Sequence, residues 1–148
     1  MQQIKPENNI ERFVEAQDER WDSYDSALAE VKAGMKRSHW IWYIFPQLRG
    51  LGFSEMSYFF GISSRAEAQE YLNHPKLGAR LREIVAVLMT HTDKRAEQIF
   101  GALDAMKVCS SMTLFDAVCP NDVFNSVLEQ FYGGRRCHKT LSILAREQ

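Results

Sequence analysis

The sequence predicts an all-α fold, a single compact domain of about seven to nine helices spanning residues 1–148. Three observations carry that expectation. Apolar residues recur at helical spacing along nearly the whole chain, and alternation of the β kind, bounded by turn signals, is hard to find. The periodic stretches are also separated by helix-stopping or helix-starting residues such as Gly34, Pro75, Gly101 and Gly133-Gly134. With 45% hydrophobic residues in 148, the chain can bury a sizeable core without disulfides or metal.

Taken in order, a short amphipathic piece from Ile10 to Ala16 precedes a strong helix from about Asp18 to Ala33, with Trp21, Tyr24, Leu28 and Val31 on one face and Gly34 as its stop. A helix over His39 to Phe45 is apolar nearly all round and ends at Pro46. Residues 50–62, rich in glycine and aromatics, read as a loop followed by a short helix. The capping box Ser64-x-x-Glu67 opens a helix to about Asn73, and Pro75 opens another to about His91. Asp93 to Phe100, Leu103 to Val118, Asp122 to Tyr132 and Lys139 to Arg146 complete the set.

Composition narrows the function classes. No window approaches the ~18 uninterrupted apolar residues of a membrane span, and MQQIKPENNIERF lacks the basic and apolar blocks of a signal peptide. Cys109, Cys119 and Cys137 are too few for a secreted disulfide framework and read as reduced thiols, so the expected location is the cytoplasm, with no membrane partner. A net charge of −1 gives no general drive toward nucleic acid. The charge is uneven, however: residues 1–30 carry eight acids against three bases, leaving +4 on the remainder, with bases at Arg80, Arg82, Lys94, Arg95, Arg135, Arg136 and Lys139. These either attract an anionic ligand together or are dispersed, solvated surface charge.

Two segments hold the candidate chemistry. In RSHWIWYIFPQLRGLG, His39 and Tyr43 stand four residues apart, so on a helix an imidazole and a phenol share a face of an otherwise apolar rod. Gln47 and Arg49 follow in a turn, where they can grip a nucleobase or phosphate beside aromatic walls. The alternative is that these polar groups satisfy one another or buried backbone. In ALDAMKVCSSMTLF, Leu103, Met106, Ser110, Thr113, Leu114 and Ala117 fall into one stripe, bordered by Lys107, with Ser111 and Asp104 just beyond. Partial burial would lower the Lys107 pKa toward a nucleophile or base, with Asp104 opposing the shift. The plainer reading has the lysine reaching solvent and the hydroxyls bonding back to the preceding turn.

Other patterns carry less. His39, His74, His91 and His138 show no zinc-ligand spacing, and neither a P-loop nor a dinucleotide-binding glycine pattern is present, so no metal and no cofactor is expected. Cys137-His138 are chain neighbours that point apart, and Asp22 with Asp25 is as well explained by a solvated acidic face.

FVEAQ (13–17), SHWIWYIFPQLRGLG, EAQEYLNHPKLGARL (67–81), Asp104-x-x-Lys107-x-x-Ser110-Ser111-x-Thr113-Leu114-Phe115, and Gly134 through Thr140-Leu141 together resemble the DUF1810 family. The likeness runs through nearly the whole chain in order. It implies an all-α, single-domain, mostly bacterial protein, and more remotely it is similar to NADAR domains, which act on ADP-ribose-linked substrates. The family motifs fall on the polar residues already singled out. One departure is Cys137, which stands where the family pattern has an acidic residue three before Thr140; if that acid takes part in chemistry, this chain binds without turning over.

The expectation is therefore a helical ligand-binding domain with a cleft between residues 39–52 and 104–115. Its ligand would be a nucleotide or ADP-ribose-like anion, and its possible reaction the hydrolysis of an N-glycosidic bond. Lys107 or Lys36 would capture the anomeric carbon or stabilise charge, and Asp104 would orient the lysine. Trp40 or Trp42 would stack on the base and Arg49 would hold phosphate, with His39, Tyr43, Gln47, Ser110, Ser111 and Thr113 lining the site. Nucleic acid is expected only as a modified substrate. The rival is a non-catalytic protein-interaction module that uses an exposed part of residues 50–60.

Overall fold

The computed structural model describes residues 10–19 and 21–147, apart from the side chain of Glu19, and the fold is all-α. Residues 1–9, read above for targeting signals and including Lys5 and Glu7 of the charge count, lie outside the described residues, as does Arg20. The described residues form ten helices: α1 (Glu11–Glu19), α2 (Tyr24–Ala33), α3 (Ile41–Ile44), α4 (Glu55–Phe59), α5 (Arg65–Asn73), α6 (Pro75–Met89), α7 (Ala96–Phe100), α8 (Ala102–Val118), α9 (Phe124–Tyr132) and α10 (His138–Arg146). Seven of them have nine or more residues, and α3, α4 and α7 are each a turn or so long.

Two long helices organise the rest. α8 packs against α9, α7, α5, α10 and α3, while α6 packs against α5, α2, α9 and α1. Between them lies one apolar cluster, fed by Phe13, Val31, Tyr71, Leu81, Val85, Met112, Phe115 and Phe124 among others. Its aromatic rings interlock, as where Phe13 meets Tyr71 edge-on and Phe115 lies against both Tyr71 and Phe124.

The expected helix from Asp18 to Ala33 is broken. α2 begins only after Ser23, whose hydroxyl accepts the Ser26 N–H as an N-cap. Trp21 lies in the break and is 97% exposed, so it does not join the apolar face assigned to it. Asp22 explains the break: its carboxylate accepts the His39 N–H and its carbonyl accepts the Tyr43 hydroxyl, and both tie this corner to α3. The apolar stripe proposed for α8 is also revised, because Leu103 and Met106 are exposed at 74% and 67%. The helix instead leaves the core at its N-terminal end and is buried on every side from Ser110 to Phe115.

The Ser64 cap forms as expected, accepting the Glu67 N–H. Glu67 departs from the capping-box pattern: its carboxylate takes the Ser63 N–H and a buried ion pair with Arg12 at 2.7 Å. Arg12 also donates to the carbonyls of Phe59 and Gly61, so a guanidinium on α1 fixes the end of α4. The loop before α4 is pinned by an isolated parallel bridge between Leu48 and Ile62, with Arg49 N–H donating to Ile62 O and Ile62 N–H to Gln47 O.

Gly78 lies inside α6, where alanine would ordinarily favour the helix by roughly 1 kcal/mol. A Cβ there would sit 2.0 Å from the Leu72 carbonyl oxygen at the end of α5. Contact wins over propensity, since a backbone atom in a packed hairpin cannot retreat. Gly78→Ala is therefore expected to destabilise the protein by about 1–3 kcal/mol in urea unfolding; a neutral or stabilising result would contradict the close approach of α5 and α6.

Candidate functional site

The site is built from the segment between α2 and α3. After α2, Gly34 takes a left-handed φ of 80° and its N–H bonds back to Glu30 O and Val31 O, which turns the chain across α7, where Lys36 N–H donates to Ile99 O at 2.7 Å. Glu30 then organises the next residues. Its carboxylate accepts from Arg37 N at 2.8 Å, Ser38 N at 3.0 Å, Ser38 Oγ at 2.6 Å and the Trp40 indole N–H at 2.8 Å. Burial works to raise the Glu30 pKa, but these four donors outweigh it and bring the group down to about 2.

Held this way, the segment sends Lys36 toward α8. Its Nζ lies 2.8 Å from Asp104 Oδ2, donates to the Ser38 carbonyl, and stands 5.0 Å above the Trp40 ring. The other carboxylate oxygen of Asp104 takes Lys107 Nζ at 3.0 Å, and that ammonium stands 4.7 Å above the Trp42 ring. One carboxylate thus bridges two lysines, and each lysine lies over an indole. Side-chain exposure is 8% for Lys36, 18% for Asp104 and 25% for Lys107, so the group sits at the edge of the core, reachable from solvent through Lys107. Burial acts to raise the Asp104 pKa, yet the bonds from Lys36 and then Lys107, with their charges, hold it below the usual carboxylate value. The three groups carry one net positive charge.

The remaining candidates divide. Trp40 is fully buried, with its indole N–H spent on Glu30, and cannot stack on a ligand; Trp42 is half-buried and keeps that possibility. His39 and Tyr43 do not project together. The helix there is only Ile41–Ile44, the His39 side chain is exposed, and the buried Tyr43 hydroxyl donates to the Asp22 carbonyl at 2.7 Å. Gln47 is buried and its carbonyl takes part in the bridge to Ile62. Arg49 is directed to α4: its Nε donates to Tyr58 O at 2.9 Å and its guanidinium lies 4.5 Å over the Tyr58 ring.

On α8, Ser110 and Thr113 bond back to Met106 O and Cys109 O, and both also meet Cys137 at the start of α10. Ser111 is fully buried one turn beyond Lys107, and its hydroxyl has no hydrogen-bond partner among the described residues. Among the described residues no group of three or more His, Cys, Asp or Glu could hold a metal ion.

Glu30, which positions the loop of the candidate site, is the residue that sequence reasoning misses. Its place four residues before the Gly34 stop carried no signal, because the donors it collects come from the loop that the stop creates. Lys36, by contrast, is the sequence's alternative to Lys107, and the structure joins both to Asp104.

The chain is thus an all-α domain with a lysine–aspartate–lysine group at the start of its longest helix. The chain belongs to the family described as Protein of unknown function (DUF1810), which matches residues 7–144. Among solved structures it is similar to the crystal structure of the conserved hypothetical protein Rv1873 from Mycobacterium tuberculosis, with 44% sequence identity and a TM-score of 0.88 over 93% of this chain and 96% of that one. No curated protein matches the chain. Among the described residues, no helix is long and apolar enough to cross a membrane.

The depressed Glu30 pKa fixes the sign of a pH effect. A carboxyl brought from 4.5 to about 2 on folding contributes stability that is whole above pH 4.5 and lost as pH falls through about 2. Glu30→Gln should lower the melting temperature at pH 7 and fall less steeply than the wild type between those pH values. Parallel melting curves for the two proteins across that range would contradict the role given to Glu30.

Proposed function

We propose that the protein binds a nucleotide or ADP-ribose-like anion at the Lys36–Asp104–Lys107 group. The observation that supports this reading best is the carboxylate shared by two ammonium groups over two indoles. The net positive charge and the Nζ–H groups of Lys107 beyond its bond to Asp104 suit phosphate oxygens, and the half-buried face of Trp42 suits a base. Arg49, whose described contacts run to Tyr58, is set aside as a phosphate ligand.

If the bound molecule is turned over, the reaction is hydrolysis of an N-glycosidic bond. Both lysines are held by the carboxylate as ammonium donors, so their role is to meet negative charge on the departing nitrogen rather than to attack carbon. Asp104 is the carboxylate available to face the positive charge that develops on the sugar ring. It is also the only member of the group able to accept a proton from water.

A second reading is favoured by a separate observation. Phe53, just before α4, is 99% exposed, and Tyr58 and Phe59 on α4 are exposed at 54% and 39%, apolar groups suited to a protein partner. The two readings part experimentally. ADP-ribose, NAD or a nucleotide at millimolar concentration should raise the melting temperature, since a ligand at about 100 times its Kd adds roughly 2.7 kcal/mol to native stability. Lys107→Ala and Lys36→Met should lose the shift, whereas Phe53→Ala should keep it. Absence of any shift with these ligands in the wild type would refute the anion site.

A further inference from the structure

We propose that Cys137 is a reactive thiolate, a modification site for hydroperoxides, set at the N-cap of α10 among hydroxyl groups from α8 and α10. The proposal is independent of the anion site. Cys137 is half-buried and directly precedes α10, a helix of nine residues, so the unbonded first-turn N–H groups stand before its side chain. Its position is fixed from α8, where Thr113 Oγ1 accepts the Cys137 N–H at 3.0 Å and also donates to Cys109 O at 2.7 Å.

Two further groups point to an anion at the sulfur. Ser110 Oγ lies 3.3 Å from Cys137 Sγ, and its one proton serves either that sulfur or Met106 O at 3.2 Å, so a sulfur anion would draw it from the carbonyl. Thr140, in the first turn of α10, has a fully buried hydroxyl with no hydrogen-bond partner among the described residues. A buried hydroxyl without a partner is costly unless something nearby completes it. A sulfur anion, or an oxygen added to that sulfur, would do so. The sulfur's own acidity agrees: burial works to raise the Cys137 pKa, but the Ser110 hydroxyl, the Thr140 hydroxyl that lies near the sulfur without a formed hydrogen bond, and the Thr140 and Lys139 amides outweigh it and bring it below the ordinary thiol value.

The neighbouring thiols behave differently. Cys109 is pushed up by burial and then by the charge of Cys137, and its thiol faces the Arg135 carbonyl. Cys119 sits at the C-terminal end of α8 rather than at a helix N-terminus, and donates toward the Asp122 carboxylate. Around Cys137 the exposed Arg135 and Lys139 add positive charge, whereas Arg136 is already paired with Asp116.

In the reaction the Cys137 sulfur attacks one oxygen of hydrogen peroxide. An S–O bond forms as the O–O bond breaks, hydroxide leaves and takes a proton from solvent, and the cysteine becomes a sulfenic acid. The sulfur is oxidised by two electrons and the peroxide is reduced to water.

The test uses the full-length native protein. Treated at pH 7 with less than one equivalent of iodoacetamide and mapped by mass spectrometry, Cys137 should be alkylated about tenfold faster than Cys109 or Cys119. Hydrogen peroxide with dimedone should then place the sulfenic acid adduct at Cys137. Labelling of Cys109 or Cys119 as fast as Cys137, or no dimedone adduct at Cys137, would overturn the proposal. Ser110→Ala should slow Cys137 alkylation by about threefold or more while leaving Cys119 unchanged, and Ser110→Thr should restore it. An unaltered Cys137 rate in the alanine variant would remove the hydroxyl from its assigned role, and the wild-type ratio decides the proposal even if that variant folds poorly.

Discussion

Asp104 holds the loop after α2 against the first turns of α8. One of its carboxylate oxygens takes an ammonium from the loop after α2 and the other takes one from the next turn of its own helix. Its place in the first turn of α8 favours a negative charge there, because the helix N-terminus is the positive end of the dipole. Lys36 depends on this partner most. At 8% side-chain exposure it is cut off from most of its hydration, and removing the carboxylate would leave a buried ammonium with, among the described residues, the Ser38 carbonyl and the Trp40 ring for company. Loss of Asp104 is thus a loss of loop position as well as of charge.

The site lies where it does because α8 changes character along its length. From Ser110 to Phe115 it is enclosed on all sides, which fixes its axis, while its first turns emerge with Leu103 and Met106 exposed. Polar groups at that boundary are rigidly mounted yet open to solvent on one side. Glu30 performs the matching task on the loop, and its four hydrogen bonds hold the backbone from Arg37 to Trp40 against the end of α2. The same helix supports Cys137 on another side, through Ser110 and Thr113.

Much of the fold was legible because it rests on local rules. Ser64 as a cap, Pro75 at a first turn, Gly34 and Gly133 in left-handed conformations and the apolar spacing of α6 all read directly from the chain. What failed was decided by tertiary contacts. Trp21 looked like one more apolar position, but Asp22 binds the His39 and Tyr43 corner and breaks the helix beside it. Tyr43 and His39 looked like a shared face until Tyr43 found a backbone carbonyl and α3 shrank to a single turn. Of the candidate site, Asp104 is expected from the chain to orient Lys107 or Lys36, and it meets both. That one carboxylate takes both lysines together could not be read from the chain, because the Glu30 hydrogen bonds that aim Lys36 have no sequence signature.

The central claim is that the lysine–aspartate–lysine group receives a ligand rather than only bracing a loop. The most direct measurement is an NMR titration of the uniformly labelled protein with ADP-ribose, following the Trp42 indole N–H, the Lys107 side chain and the Phe53 amide. The account predicts saturable shifts at Trp42 and Lys107 with Phe53 unmoved. Unchanged spectra at millimolar ligand, or shifts confined to the segment around Phe53, would contradict it.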